Sequence, residues 1–122
     1  MPSVLNVDTI ADAAGTGPVA LTKQQAAKAW IKYNGTGTIA ISGSAGVSSI
    51  TDETTGTTTI SVTNSFSDAN YSSVATCSDT GAHMQIVDAN QAAGSYRQRT
   101  LDGSLSLVDD PAVYGNAHGD LA

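Results

Sequence analysis

The stretch VSSITDETTGTTTISVTN, residues 47–64, reads as two strands and the loop that joins them. Thr58, Ile60, Val62 and Asn64 alternate with Thr59, Ser61 and Thr63, and the alternation carries on to Phe66. Successive side chains of an extended chain point to opposite faces, so a period of two turns one side toward a core and the hydroxyl-bearing side toward water. Val47–Asp52 forms the partner arm, and Asp52-Glu53-Thr54-Thr55-Gly56 supplies the loop. A hairpin of this kind needs further strands to cover its apolar face, which points to an all-β chain.

Working upstream, Trp30-Ile31-Lys32-Tyr33 places Trp30 and Lys32 on one face of a strand and Ile31 and Tyr33 on the other. The strand is expected to begin near Ala27 or Lys28 and to stop at Asn34-Gly35, a pair that favours tight hairpin turns. Residues 29–33 and 38–41 then pair antiparallel, followed by a Ser/Gly/Ala-rich stretch too small to fill a core. Before this strand, Thr22 followed by Gln24, Gln25, Ala26, Ala27 and Ala29 predicts a short capped helix. Residues 1–22 carry Val4, Leu5, Val7 and Ile10 ahead of a Gly/Pro turn, and we read them as an arm that attaches to a partner or clasps a neighbouring subunit. Downstream, Tyr71–Cys77, Ala82–Val87, Tyr96–Leu101, Leu105–Val108 and Val113–His118 are strand-sized segments separated by Asp, Asn or Gly. Strands at that spacing indicate an antiparallel β-sandwich or barrel-like domain, here residues 23–122, and not a parallel α/β sheet.

Composition narrows the function classes. A chain of 122 residues fits one domain with a tether. The net charge is −6, and the five basic residues, Lys23, Lys28, Lys32, Arg97 and Arg99, make no dense patch, which argues against binding nucleic acid. Cys77 is the single cysteine, so neither an intrachain disulfide nor a Cys-based metal framework is expected. No run approaches the roughly 18 apolar residues of a membrane span, and MPSVLNVDTIADAAG has neither the basic start nor the apolar stretch of a signal peptide. Charged residues make up 13% of the chain, about half of the usual share, and Thr and Ser give a hydroxyl-rich surface instead.

The residues able to do chemistry do not assemble into a catalytic pattern. His83 and His118 belong to no HxH or HExxH motif, so no metal and no cofactor is expected. Asp109-Asp110-Pro111 resembles a carboxylate pair, yet neighbours on an extended chain point apart, and a turn is the better reading. No GxSxG elbow activates a serine, no GxGxxG or GKT loop cradles phosphate, and Cys77 reads as a small packed side chain. An enzyme is therefore not expected. Tyr96-Arg97-Gln98-Arg99 is the most polar strand, with Arg97 and Arg99 on one face and Tyr96 and Gln98 on the other. Arginine forks and aromatic rings suit carboxylated or phosphorylated sugars, so Tyr96, Arg97 and Arg99 are the candidate glycan contacts. Trp30 and Tyr33 could likewise stack on sugar rings, but a lone Trp in a small domain is usually core or interface.

AKAW at 27–30, Tyr33 before NGTGT at 34–38, AI at 40–41, VSSITD at 47–52 and SDANY at 67–71 occur in an order that resembles the distal domain of bacteriophage tail-fibre proteins. LNVDTIADAAGTGPVALTKQ at 5–24 resembles the lead-in of that family, and HGDLA at 118–122 its ending. The resemblance implies a mostly β virion surface protein, a homotrimer, assembled in the bacterial host cytoplasm and acting in host recognition or as a particle appendage. Its partners would be copies of itself, other virion proteins of the tail or the major capsid protein, and a host cell-surface glycan, without membrane insertion. Residues 41–46 and roughly 77–112 depart from the family wording, and there the receptor contacts are expected. Such a domain normally follows a long shaft, whereas Met1 leads almost directly into it here. Two placements follow: a small fibre tip, or a capsid decoration or head-fibre protein held by the 1–22 arm. A polysaccharide depolymerase of the tail-spike kind would need a long repetitive β-helix, and no repeat is present.

Overall fold

The computed structural model of the protein describes residues 25–120. Eight strands account for most of them: β1 (Gln25–Asn34), β2 (Ala40–Ala45), β3 (Val47–Thr54), β4 (Thr57–Val62), β5 (Ser72–Cys77), β6 (His83–Ile86), β7 (Ser95–Leu101) and β8 (Val113–Asp120). They form two four-stranded sheets, ordered β2-β1-β8-β5 and β3-β4-β7-β6, and every paired neighbour is antiparallel. The chain alternates between the sheets: the β1–β2 hairpin lies in the first, β3–β4 in the second, β5 in the first, β6–β7 in the second and β8 in the first. This is the expected antiparallel sandwich. The candidate arm residues Val4, Leu5, Val7 and Ile10 lie outside the described residues.

The period-two reading locates the core. Ala29, Ile31 and Tyr33 of β1 and Val113 and Ala117 of β8 face Ile60 and Val62 of β4 and Tyr96 of β7, and all are buried. Thr58, Gln98 and Thr100 share that inner side. Half-buried Met84 and Ile86 of β6, Val47 and Ile50 of β3 and Cys77 of β5 close the margins. With one Phe and four Tyr in the chain, hydroxyl-bearing rings do the filling that Phe and Leu do elsewhere. Gln98 Nε2 donates to the Tyr33 hydroxyl across the gap between the sheets, 2.9 Å away. Room for this contact comes from Gly115 on β8, where a Cβ would stand 2.7 Å from Gln98 Oε1 and 3.1 Å from the Tyr96 hydroxyl.

Two expectations need correction. The helix expected through Gln24–Ala29 is strand from Gln25 onward, because residues 25–29 pair with Ala117–Asp120 of β8. A short Ala/Gln helix is marginal alone, and the ladder outweighs its propensity. The register slips between Ala27 and Ala29, and this bulge frees Lys28 to reach the Ser65 carbonyl at 2.7 Å and the Phe66 ring at 4.7 Å. Leu105–Val108 is not a strand but a turn, joined to β7 only by a Leu101–Leu107 bridge. The Asp102 carboxylate accepts from the backbone N–H groups of Ser104 and Ser106, and Leu105 takes a left-handed φ of 65°.

The passage from the first sheet to the second is made by one residue. Gly46 alone separates β2 from β3, with φ +69°, and a Cβ there would run into the Lys28 carbonyl oxygen. Gly37 in the β1–β2 turn has a similar φ of +62° but nothing near it. Gly37→Ala should therefore cost only the left-handed penalty of about 1–2 kcal/mol. Gly46→Ala should cost more than about 3 kcal/mol, since backbone must also move. Urea unfolding of both variants checks this ordering, and equal losses would show that the corner is not sterically fixed.

Candidate functional site

The first sheet keeps large apolar side chains on its outer face. With Ala29, Ile31 and Tyr33 turned inward, β1 presents Trp30 and Lys32 outward; β8 presents Tyr114, Asn116 and His118, and β5 presents Ser72, Val74 and Thr76. Register sorts these into rows across β1, β8 and β5, with Trp30, Asn116 and Val74 in one and Lys32, Tyr114 and Thr76 in the next. A small residue on the middle strand between two larger ones leaves a trough. It measures about 270 Å³ and is lined by Trp30, Val74, Thr76, Tyr114 and Asn116, with backbone of Ile31, Ala75 and Gly115 beneath.

Each wall of the trough has a local cause. The Trp30 indole lies against the bare backbone of Gly43 on β2, where a Cβ would be 3.5 Å from its outer ring, and the side chain stays 48% exposed. Val74 and Tyr114 are 50% and 38% exposed. Lys32 Nζ sits 5.4 Å from the centre of the Tyr114 ring, a cation–π contact at the rim. Asn116 Oδ1 is buried without a hydrogen-bond partner among the described residues.

The outer face of the second sheet differs. Arg97 and Arg99 do share it, as their spacing predicts, but Tyr96 is fully buried on the inner side. Burial, with Tyr33 and Tyr71 nearby, pushes its phenol well above the ordinary value. The three residues expected to form one glycan contact therefore do not form one surface. Arg97 is also occupied, since Nη2 lies 3.1 Å from Glu53 Oε1, Nε donates to Thr59 Oγ1 at 3.0 Å, and Thr59 Oγ1 donates to the same Glu53 oxygen at 2.8 Å. Arg99 pairs in register with Thr57 and Gln85, and its Nε is buried without a partner.

The carboxylates are structural. Asp109 Oδ1 accepts the Gly56 N–H at 2.7 Å and so holds the β3–β4 turn. Asp110 is buried, and its carboxylate accepts from Ser78 Oγ at 2.8 Å, Asp79 N at 3.0 Å and Ala112 N at 2.8 Å, tying the β5–β6 loop to the start of β8. Burial is the largest influence and disfavours its charge, but the bonds from Ala112, Ser78 and Asp79 together hold the carboxyl below its ordinary value near 3.8. Burial and the charges of Asp110 and Asp79 push the Cys77 thiol up, which suits a packed side chain. Tyr33 is raised by burial against the bonds from Thr58 and Gln98, and burial pushes Tyr71 up to about 12. Among the described residues no group of three His, Cys, Asp or Glu side chains converges as metal ligands, and no helix is long and apolar enough to cross a membrane.

Period-two reading placed Trp30 and Lys32 together, but not beside Tyr114, Asn116 and Val74. Those come from strands more than forty residues downstream, and only the β1-β8-β5 order joins them. No protein-family model, no curated protein and no solved structure matches this chain.

Asp110 supplies a pH test. With the folded pKa below the unfolded one, ionised Asp110 stabilises the fold fully above pH about 4, and that stability is lost as pH falls through the folded pKa. Asp110→Asn should lower stability at pH 7 by roughly 1–3 kcal/mol and flatten the acid limb of the stability curve below pH about 4. Denaturant midpoints at pH 2.5–7 measure both, and an unchanged acid limb would mean that another carboxylate governs it.

Proposed function

We propose that this protein is a bacteriophage virion structural protein, a short tail-fibre or appendage module that is exposed on the particle, assembles as a homotrimer and recognises the host surface. The observation that carries the reading is the ordered set of fibre-like motifs and its relation to the fold. AKAW falls in β1, NGTGT in the β1–β2 turn, VSSITD in β3, SDANY in the approach to β5, and His118-Gly119-Asp120 ends β8. These segments build the framework; Trp30 of the trough belongs to AKAW, Val74, Tyr114 and Asn116 lie outside the motifs, and none of the trough residues falls in 41–46 or 77–112, where the receptor contacts are expected. The carboxylates of Asp109, Asp110 and Glu53 are spent on turns and on Arg97, which favours binding over polysaccharide cleavage.

Capsid decoration is the second reading, favoured by Leu105 and Leu107, 68% and 40% exposed on one turn and suited to docking on another virion protein. Quantitative mass spectrometry of purified particles separates the two. A fibre role predicts a few copies per particle in a multiple of three, and tens to hundreds would give decoration instead. Absence of the chain from particles would overturn both.

A further inference from the structure

We propose that the trough beside Trp30 binds a carboxylated pyranose, a uronic-acid-type unit of a surface polysaccharide. This rests on the host-recognition reading above and names the ligand chemistry and the residues that would meet it. Three features converge there. The indole of Trp30, set against the Gly43 backbone, offers an exposed aromatic surface, and the negative face of an aromatic ring attracts the C–H groups of a sugar ring. Asn116 lines the trough, and its Oδ1, buried and with no donor among the described residues, would take one from a ring hydroxyl once the amide turns outward. Lys32 stands at the rim above Tyr114 with no carboxylate partner among the described residues, in a chain whose net charge is −6.

The third feature selects the ligand class. The ion pair of Arg97 with Glu53 lies on the other sheet, and a ligand carboxylate would complement the charge of Lys32. A carboxylated ring meets all three requirements at once: its C–H face on Trp30, a hydroxyl to Asn116 and its carboxylate to Lys32. A neutral sugar leaves Lys32 unmatched, and an isolated anion leaves Trp30 uncovered. The volume of about 270 Å³ lies just under the range of about 300–1,000 Å³ for drug-sized ligands, which suits one ring. Single-ring affinity is weak, and several copies on one particle would raise it through multivalency.

Trp30 is the one tryptophan of the chain, so its fluorescence reports from the trough itself. The full chain is titrated with a uronate oligosaccharide and with the same oligosaccharide after reduction of its carboxyl groups. The expected result is a saturable change in Trp30 emission, with the uronate bound about tenfold more tightly than the reduced form. Lys32→Gln should erase that preference, and Asn116→Leu should weaken binding of both ligands, with circular dichroism confirming that each variant is folded. No response to either sugar, equal response to both, or a preference that survives Lys32→Gln overturns the proposal. So does an emission shift that follows protein concentration without sugar, which would assign the face to a second copy. The particle count above does not depend on sugar binding, so failure here is distinguishable from failure of the virion reading.

Discussion

The hydrogen bond from Gln98 Nε2 to the Tyr33 hydroxyl, 2.9 Å long and fully buried, joins the two sheets through the middle of the sandwich. A sandwich of this size would ordinarily fill its interior with branched aliphatic and Phe side chains. This chain holds one Phe and spends Tyr33, Tyr96 and Gln98 on the same volume, so polar atoms are carried into the core. Two of them, the Tyr96 hydroxyl and Gln98 Oε1, have no partner there, at a cost of about 1–3 kcal/mol each. Only a close fit offsets such a cost, and Gly115 permits it by giving the space of a side chain to both atoms.

That inner arrangement fixes the outer one. On an antiparallel strand each residue turned inward determines which neighbours turn outward, so Ile31 and Tyr33 in the core commit Trp30 and Lys32 to the surface. Gly115 and Ala117 in the core likewise commit Tyr114 and Asn116. A slip of one residue in β1 or β8 would bury Trp30 or Tyr114 and destroy the trough. The Lys28 bulge and the Gly46 corner guard against it, the first by taking up one residue where β1 meets β8 and the second by fixing where β2 must leave the sheet.

Much of this was legible from local pattern. The 47–64 hairpin, the two faces of Trp30-Ile31-Lys32-Tyr33 and the two faces of Tyr96–Arg99 all follow from period two and turn residues, whereas the partner of β1, expected at 38–41, is Ala40–Ala45, so the small-residue stretch after Ile41 is strand. What was not legible is non-local. The Gln24–Ala29 segment has helix-favouring residues, and nothing nearby reveals that β8 will pair with it. Leu105–Val108 looks like a strand until the Asp102 carboxylate gathers the N–H groups of Ser104 and Ser106. The trough escaped because β8, which begins 79 positions after β1 ends, inserts between β1 and β5, a strand order that local composition does not encode. Arg97 drew attention by type, but Glu53 and Thr59 already satisfy it.

The central claim is that the Tyr33–Gln98 contact holds the sheets in the spacing and register that present the outer face. A double-mutant cycle with Tyr33→Phe and Gln98→Met, read by denaturant unfolding, tests it most directly. Each single variant breaks the contact and leaves the other partner in place, while the double variant removes both, so a coupling energy of about 1–2 kcal/mol is predicted. Additivity to within about 0.3 kcal/mol would contradict the claim and show that the sheets are held by apolar packing alone.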